Sequence, residues 1–223
     1  FKMCETCQEE YENPGDRRFH AQPNACADCG PSMYFKSLVD DKILEDSDEI
    51  FAESVKLIKA GGILAFKGLG GFHLVCDAEN ETAVTELRRR KKRYGKAFAC
   101  MFNDLESIKT YCQVSKEEAE LLDSCEKPIV LLKKNFKKEL APSVTLGLSE
   151  IGCMLPYTPA QAVLLHDFAK AGGTALVMTS GNIYEEPIVI DDDLALEKFK
   201  GIADAIVGNN RRIVMRYDDS VCR

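Results

Sequence analysis

Tryptophan is absent from the 223 residues, and no apolar run approaches the roughly 20 residues that a bilayer-spanning helix needs. The missing run excludes a membrane helix. A signal-peptide pattern, an internal repeat and a low-complexity tract are missing as well. The chain does not begin with methionine and reads as a segment of something longer. Positive charge is not in excess either: 29 lysines and arginines stand against 36 acids, a net charge of −7. Broad binding to nucleic acid depends on neutralising phosphates. This balance argues against nucleic acid as a partner. What is present is ordinary for a globular protein, 45% hydrophobic and 29% charged. The length suits one sizeable core with a small appended module.

Ten cysteines could suggest an oxidised secreted scaffold, but their placement points elsewhere. Cys4 and Cys7 form one Cys-x-x-Cys pair, and eighteen residues later Cys26 and Cys29 form another. Two pairs at this separation present four thiolates to one tetrahedral zinc. A four-sulfur site leaves no open position, so this zinc is structural. A segment this short has no core, and metal binding supplies most of its folding free energy. His20, between the pairs, reads as a packing residue because the quartet is already complete. The other six cysteines are scattered singly, several in apolar runs, as small hydrophobes. Together these point to a reducing, cytoplasmic setting. Residues 1–32 are therefore expected to be a zinc-finger module. Residues 33–49, rich in acids, are expected to be a linker, and 50–223 an α/β domain.

The last of these is organised around residues 63–96. Ile63–Phe66 reads as a buried strand. Gly68-Leu69-Gly70-Gly71 follows, whose glycines let backbone amides approach a ligand closely. A helix is expected from Asn80 with Ala83, Val84 and Leu87 on one face. It ends in Arg88, Arg89, Arg90, Lys91, Lys92 and Arg93, with Lys96 just beyond. On an acidic chain that burst suits a small polyanion better than a duplex. Helices are also expected from Ile50 to the Gly61-Gly62 stop, from Asp104 to Tyr111, after the Ser115–Glu118 capping box, from Thr158-Pro159 to Lys170, and over 191–200. Strands are expected over 97–102, 128–132, 174–178 and 211–216. This alternation gives an α/β core. Ser180 and Asn182 close the strand at 174–178, where α/β sheets commonly place ligands.

The ordered set CxxC, PGDRRFHAQP, CxxCGP, KGLGGFHLVCDA, LRRRKKR, IVLL, LPYTP, TSGN and DDSV resembles the HypF carbamoyltransferase family of nickel–iron hydrogenase maturation. The resemblance covers nearly the whole chain and implies the family's second zinc finger followed by its YrdC-like domain, a twisted mixed sheet with helices. It implies an enzyme that joins carbamate, derived from carbamoyl phosphate, to the α-phosphate of ATP. The product is carbamoyl-adenylate, and the carbamoyl group later passes to the partner HypE. Carried over, Lys91 and Arg93 act on the triphosphate with Mg²⁺, and Ser180 and Asn182 bind the nucleotide. Lys67, Gly70, Gly71 and His73 are expected to wall the carbamate and phosphate pocket. Pro156 and Thr158, in the Pro156–Pro159 segment, are expected to cradle the adenylate. Arg212, Arg216 and Asp218 are candidates to close the site. The chain departs from the family at Ala97, where proline is usual, and at Ala160-Gln161-Ala162, where leucine and histidines are usual. The alternatives are a threonylcarbamoyl-adenylate synthase-like enzyme and an RNA-binding zinc-finger module. The finger and the GGFHL loop argue against the former, whose free-standing members lack both.

Overall fold

The computed structural model describes residues 2–183 and 186–223. Its elements begin with helix α1 (Glu5–Glu12), which has Cys4 at its N-cap position and contains Cys7, then strands β1 (Met33–Ser37) and β2 (Ile43–Leu44). Helix α2 (Ser47–Lys59), β3 (Leu64–Lys67), β4 (Phe72–Asp77) and α3 (Glu81–Lys91) follow. Next come β5 (Ala99–Phe102), α4 (Leu105–Lys109), α5 (Lys116–Asp123), β6 (Ile129–Lys133) and α6 (Pro142–Thr145). The chain continues through β7 (Glu150–Met154), α7 (Pro159–Lys170), β8 (Ala175–Ser180), α8 (Asp192–Lys198), β9 (Ala205–Asn209) and β10 (Val221–Cys222).

Local chemistry sets the helix starts. Asp46 caps α2 by accepting from the amides of Asp48 and Glu49, and Asn80 caps α3 through the amide of Ala83. Ser115 with Glu118, and Thr158 with Gln161, form reciprocal capping boxes on α5 and α7. None of the helices is long and apolar enough to cross a membrane, among the described residues.

The strands form one mixed sheet in the order β10-β6-β7-β5-β8-β4-β3-β9-β1-β2. The pairs β3/β9, β5/β7 and β6/β10 are parallel, and the rest are antiparallel. Alternation along the strands feeds two cores. Leu74 and Cys76 of β4 pack with Ala83, Val84 and Leu87 of α3. Val75, facing the other way, packs with Ile50 and Ile58 of α2 and Leu164 and Phe168 of α7.

Three expectations are corrected. Residues 33–49 are not a bare connector, because β1 pairs with β9 over five positions and buries Phe35. The glycines do not join a strand to a helix. β4 intervenes, so they turn the β3–β4 hairpin. Every residue of β4 is buried, so its sequence shows no two-residue period, the usual signature of a strand. Residues 211–216 are not a strand: Val214 and Met215 are exposed with no neighbouring strand, and the sheet is entered before them by β9 and after them by β10. Alternation in sequence cannot by itself supply a pairing edge.

Candidate functional site

Val84, Leu87 and Lys91 lie on the buried side of α3, at the spacing that puts side chains on one helical face. The first two pack into the core. The third sits where the core ends, so its ammonium reaches the last residues of β8. Lys91 Nζ donates to the carbonyl oxygens of Ser180 (2.6 Å) and Asn182 (2.7 Å) and to Asn182 Oδ1 (2.6 Å). The Ser180 hydroxyl donates to Asn182 Oδ1 at 2.9 Å, and Asn182 Nδ2 donates to the carbonyl of Glu186 at 2.7 Å. Gly181 lets this bend press against β4. Its amide donates to the Phe72 carbonyl at 2.5 Å, and a Cβ there would stand 2.6 Å from that same oxygen.

Lys92 ends α3 in the left-handed region, φ 55°, and turns the chain so that Arg93 faces the same space. Arg93 Nη2 donates to the Ala97 carbonyl at 3.0 Å, its guanidinium lies 5.4 Å from the Phe98 ring centroid, and its buried Nε has no partner. The loop is held from beneath by Arg88, only 6% exposed, which donates to the carbonyls of Arg93 (2.8 Å) and Lys96 (2.9 Å). Between loop and bend lies a cavity of about 500 Å³ lined by Lys91, Arg93, Tyr94, Gly95, Lys96, Asn182 and Ile183.

The hydrogen-bond partners of Lys91 and Arg93 are all neutral oxygens, and neither makes an ion pair among the described residues. Burial pushes the Lys91 ammonium down to about 7, and Arg93 adds to that, while Asp218 pulls the other way. Burial also lowers Arg93. Two desolvated cations short of negative charge face one cavity, which is the electrostatic form of an anion site.

A second cluster adjoins the first. His73 stands opposite Ser180 in the β4/β8 register. Its Nε2 lies 3.4 Å from the Tyr157 hydroxyl and 3.4 Å from Asp219 Oδ2, and its buried Nδ1 has no partner. Burial, then Asp219, pushes the Tyr157 phenol up. Burial would raise Asp219 too, but its hydrogen bonds from His73 and Tyr157 outweigh that and hold it low. The tail thus reaches this second cluster directly, through Asp219 against His73.

The other predicted site residues are placed differently. Lys67 is buried, ion-paired with Asp192, and donates to the Asn209 carbonyl at 2.9 Å, away from the cavity lining. Gly70 and Gly71 serve packing. A Cβ at Gly70 would stand 2.5 Å from the Tyr217 carbonyl, and one at Gly71 would strike Ile188. Pro156 lines a separate cavity of about 400 Å³ beside Asn103, Asp104 and Asp123. Thr158 is engaged as the α7 cap. Arg216 Nε donates to the Ile188 carbonyl at 3.2 Å, while Arg212 is exposed. Sequence reasoning missed Asp192 and Asp219. The only signal for Asp219 was its place in the DDSV motif beside Asp218.

In the finger, the ligand atoms of Cys4, Cys7, Cys26 and Cys29 all lie within 4.8 Å of one another. The Sγ separations are 3.7 Å for Cys4–Cys26 and 3.8 Å for Cys26–Cys29. A tetrahedron with zinc–sulfur bonds of about 2.3 Å has edges of about 3.8 Å, so the thiols fit structural zinc.

Residues 56–223 match the family of Sua5, YciO and YrdC, described as telomere recombination, and residues 3–35 match the one described as the HypF finger. The chain belongs to the Sua5/YciO/YrdC family and carries a HypF finger. It is 44% identical over 229 residues to carbamoyltransferase HypF of Rhodobacter capsulatus, covering 100% of this chain and 29% of that one. It is 43% identical over 271 residues to the probable carbamoyltransferase HypF of Methanocaldococcus jannaschii, covering 99% and 34%. The crystal structure of full-length HypF in its phosphate- and nucleotide-bound form superposes with a TM-score of 0.87 at 50% identity, over 99% of this chain and 28% of that one. Sua5 of P. abyssi shares the fold, with a TM-score of 0.68 at 18% identity over 79% of this chain and 53% of that one. The chain thus spans less than a third of the R. capsulatus relative and of the nucleotide-bound HypF structure, 29% and 28% respectively. The HypF resemblance read from the motifs holds for both the finger and the YrdC-like sheet.

Proposed function

We propose that this chain is the adenylate-forming part of a HypF-type carbamoyltransferase. A carbamate oxygen attacks the α-phosphorus of ATP, the bond from that phosphorus to the bridging oxygen breaks, and pyrophosphate leaves with the electron pair. Negative charge grows on the non-bridging oxygens and on the leaving group. Lys91 and Arg93 are fixed cations beside that charge, and Ser180 and Asn182 offer an O–H and an N–H once the nucleotide displaces their mutual bonds. Preorganised donors of this kind each contribute on the order of 10²–10³ in rate. Mg²⁺, bound with the triphosphate, would neutralise phosphate charge. Among the described residues the one cluster suited to a metal is the cysteine quartet, so that ion would be held mainly by phosphate oxygens.

One observation carries the reading. The fold gathers Lys91, Arg93 and Asn182 on one cavity of about 500 Å³, with Ser180 bonded to Asn182 behind it. The nucleotide-bound form of the related full-length HypF supports a nucleotide as the ligand class. In the longer relatives the remaining chain would make carbamate from carbamoyl phosphate and pass the carbamoyl group to HypE. A cytoplasmic setting suits the unbonded thiols.

The test is pyrophosphate release from ATP and Mg²⁺ with carbamate supplied. The Lys91→Ala, Arg93→Ala double variant should lose at least about a hundredfold. Release at the unsubstituted rate would defeat the reading. Stimulation only by added threonine would instead favour threonylcarbamoyl-adenylate synthesis.

A further inference from the structure

Tyr94 is 69% exposed, yet it stands on a loop whose backbone is bonded on both sides of it. Lys92 fixes the turn into the loop, and Arg88 grips its carbonyls at Arg93 and Lys96. Arg88 is itself locked, donating to the Ser143 carbonyl at 2.5 Å and lying 4.2 Å from the Phe98 ring centroid. An aromatic ring left largely to solvent usually belongs to a mobile segment. This one is presented on a clamped backbone at the wall of the basic cavity, with Ile183 also in the lining.

Resting on the reading above, we propose that Tyr94 is the stacking platform for the nucleotide's base. Phosphates held by Lys91 and Arg93 leave the nucleoside end to extend along the lining, and the uncommitted aromatic face there is Tyr94. The Pro156–Pro159 segment, expected from sequence to cradle the adenylate, has Pro156 in a different cavity and Thr158 engaged in a helix cap. A base pressed on the phenol ring loses apolar surface to water and gains dispersion contact without needing any edge hydrogen bond. Such stacking is worth about 1–3 kcal/mol per base, or roughly 5- to 150-fold in affinity. It therefore sorts nucleoside triphosphates from bare polyphosphate, and it does not distinguish adenine from guanine.

Calorimetric binding of ATP, GTP and inorganic tripolyphosphate to the whole chain with Mg²⁺ separates the contributions. Tyr94→Ala should weaken ATP and GTP by about tenfold, leave tripolyphosphate unchanged, and regain nucleotide affinity in Tyr94→Phe. Unchanged ATP affinity in Tyr94→Ala, or an equal loss for tripolyphosphate, overturns the platform and leaves the phosphate site standing. Failure of the unsubstituted chain to bind tripolyphosphate, with Lys91→Ala leaving ATP binding intact, overturns the phosphate site and this inference with it.

Discussion

Lys91 keeps its ammonium among neutral oxygens at the end of a core helix, and its basicity there falls to about 7 because burial penalises the charge. Between that value and the ordinary lysine value the unfolded chain binds more protons than the folded one. Stability therefore rises with pH across that window, and the penalty is fully present below about 7. A bound polyphosphate reverses the balance, since opposite charge favours the ammonium. Nucleotide binding near pH 8 should then take up a proton, and affinity should weaken as pH rises above about 7. Calorimetry in two buffers of different ionisation enthalpy measures that uptake, and Lys91→Met should abolish it. Uptake that persists in Lys91→Met would assign it to another group. At this scale the chain was partly readable. Ser180 and Asn182 were indicated by their place at a strand end, and Lys91 by the resemblance of its basic run to the family's. Lys67 did not, because its ion pair with Asp192 spans 125 positions and no local pattern encodes that distance.

The elements that carry these residues were read well where the chemistry is local. The α7 helix begins at the proline after its threonine cap, and α5 begins directly after Ser115 of its capping box, because a cap is decided within four residues. Strand β4 was hidden, since a strand buried on both faces has no alternation to show. The bend after β8 is a different case, in which an element depends on close backbone approach. Gly181→Ala would place a methyl 2.6 Å from the Phe72 carbonyl, a backbone atom that cannot swing aside. It should destabilise the fold by about 1–3 kcal/mol, as overpacking does. Gly95→Ala, in a loop where an added Cβ meets nothing within 4 Å, should stay within about 0.5 kcal/mol. Chemical denaturation of the two variants checks the contrast, and equal effects would mean that the bend relaxes freely.

In the molecule as a whole, the finger joins the sheet through Ser32, which exchanges hydrogen bonds with Asn210 at 3.0 and 3.1 Å. Because the finger's order is set by four thiols, chelating its zinc should erase amide-exchange protection over residues 4–30. Protection in β3, β4 and β8 should remain. Loss of protection in the central strands as well would show the finger to be part of one cooperative unit. The sequence by itself determined the finger, most helix starts, the α/β class and the family, all of which rest on short spacings and ordered motifs. Tertiary structure alone decided the strand order, the partnership of β1 with β9, and the approach of the tail's Asp219 to His73. It also decided that Lys91 meets Ser180 and Asn182, from 89 and 91 positions away. The physical reason is range: caps and cysteine pairs are settled by neighbours in the chain, whereas a cation's counterpart is chosen by packing between elements that the chain keeps far apart.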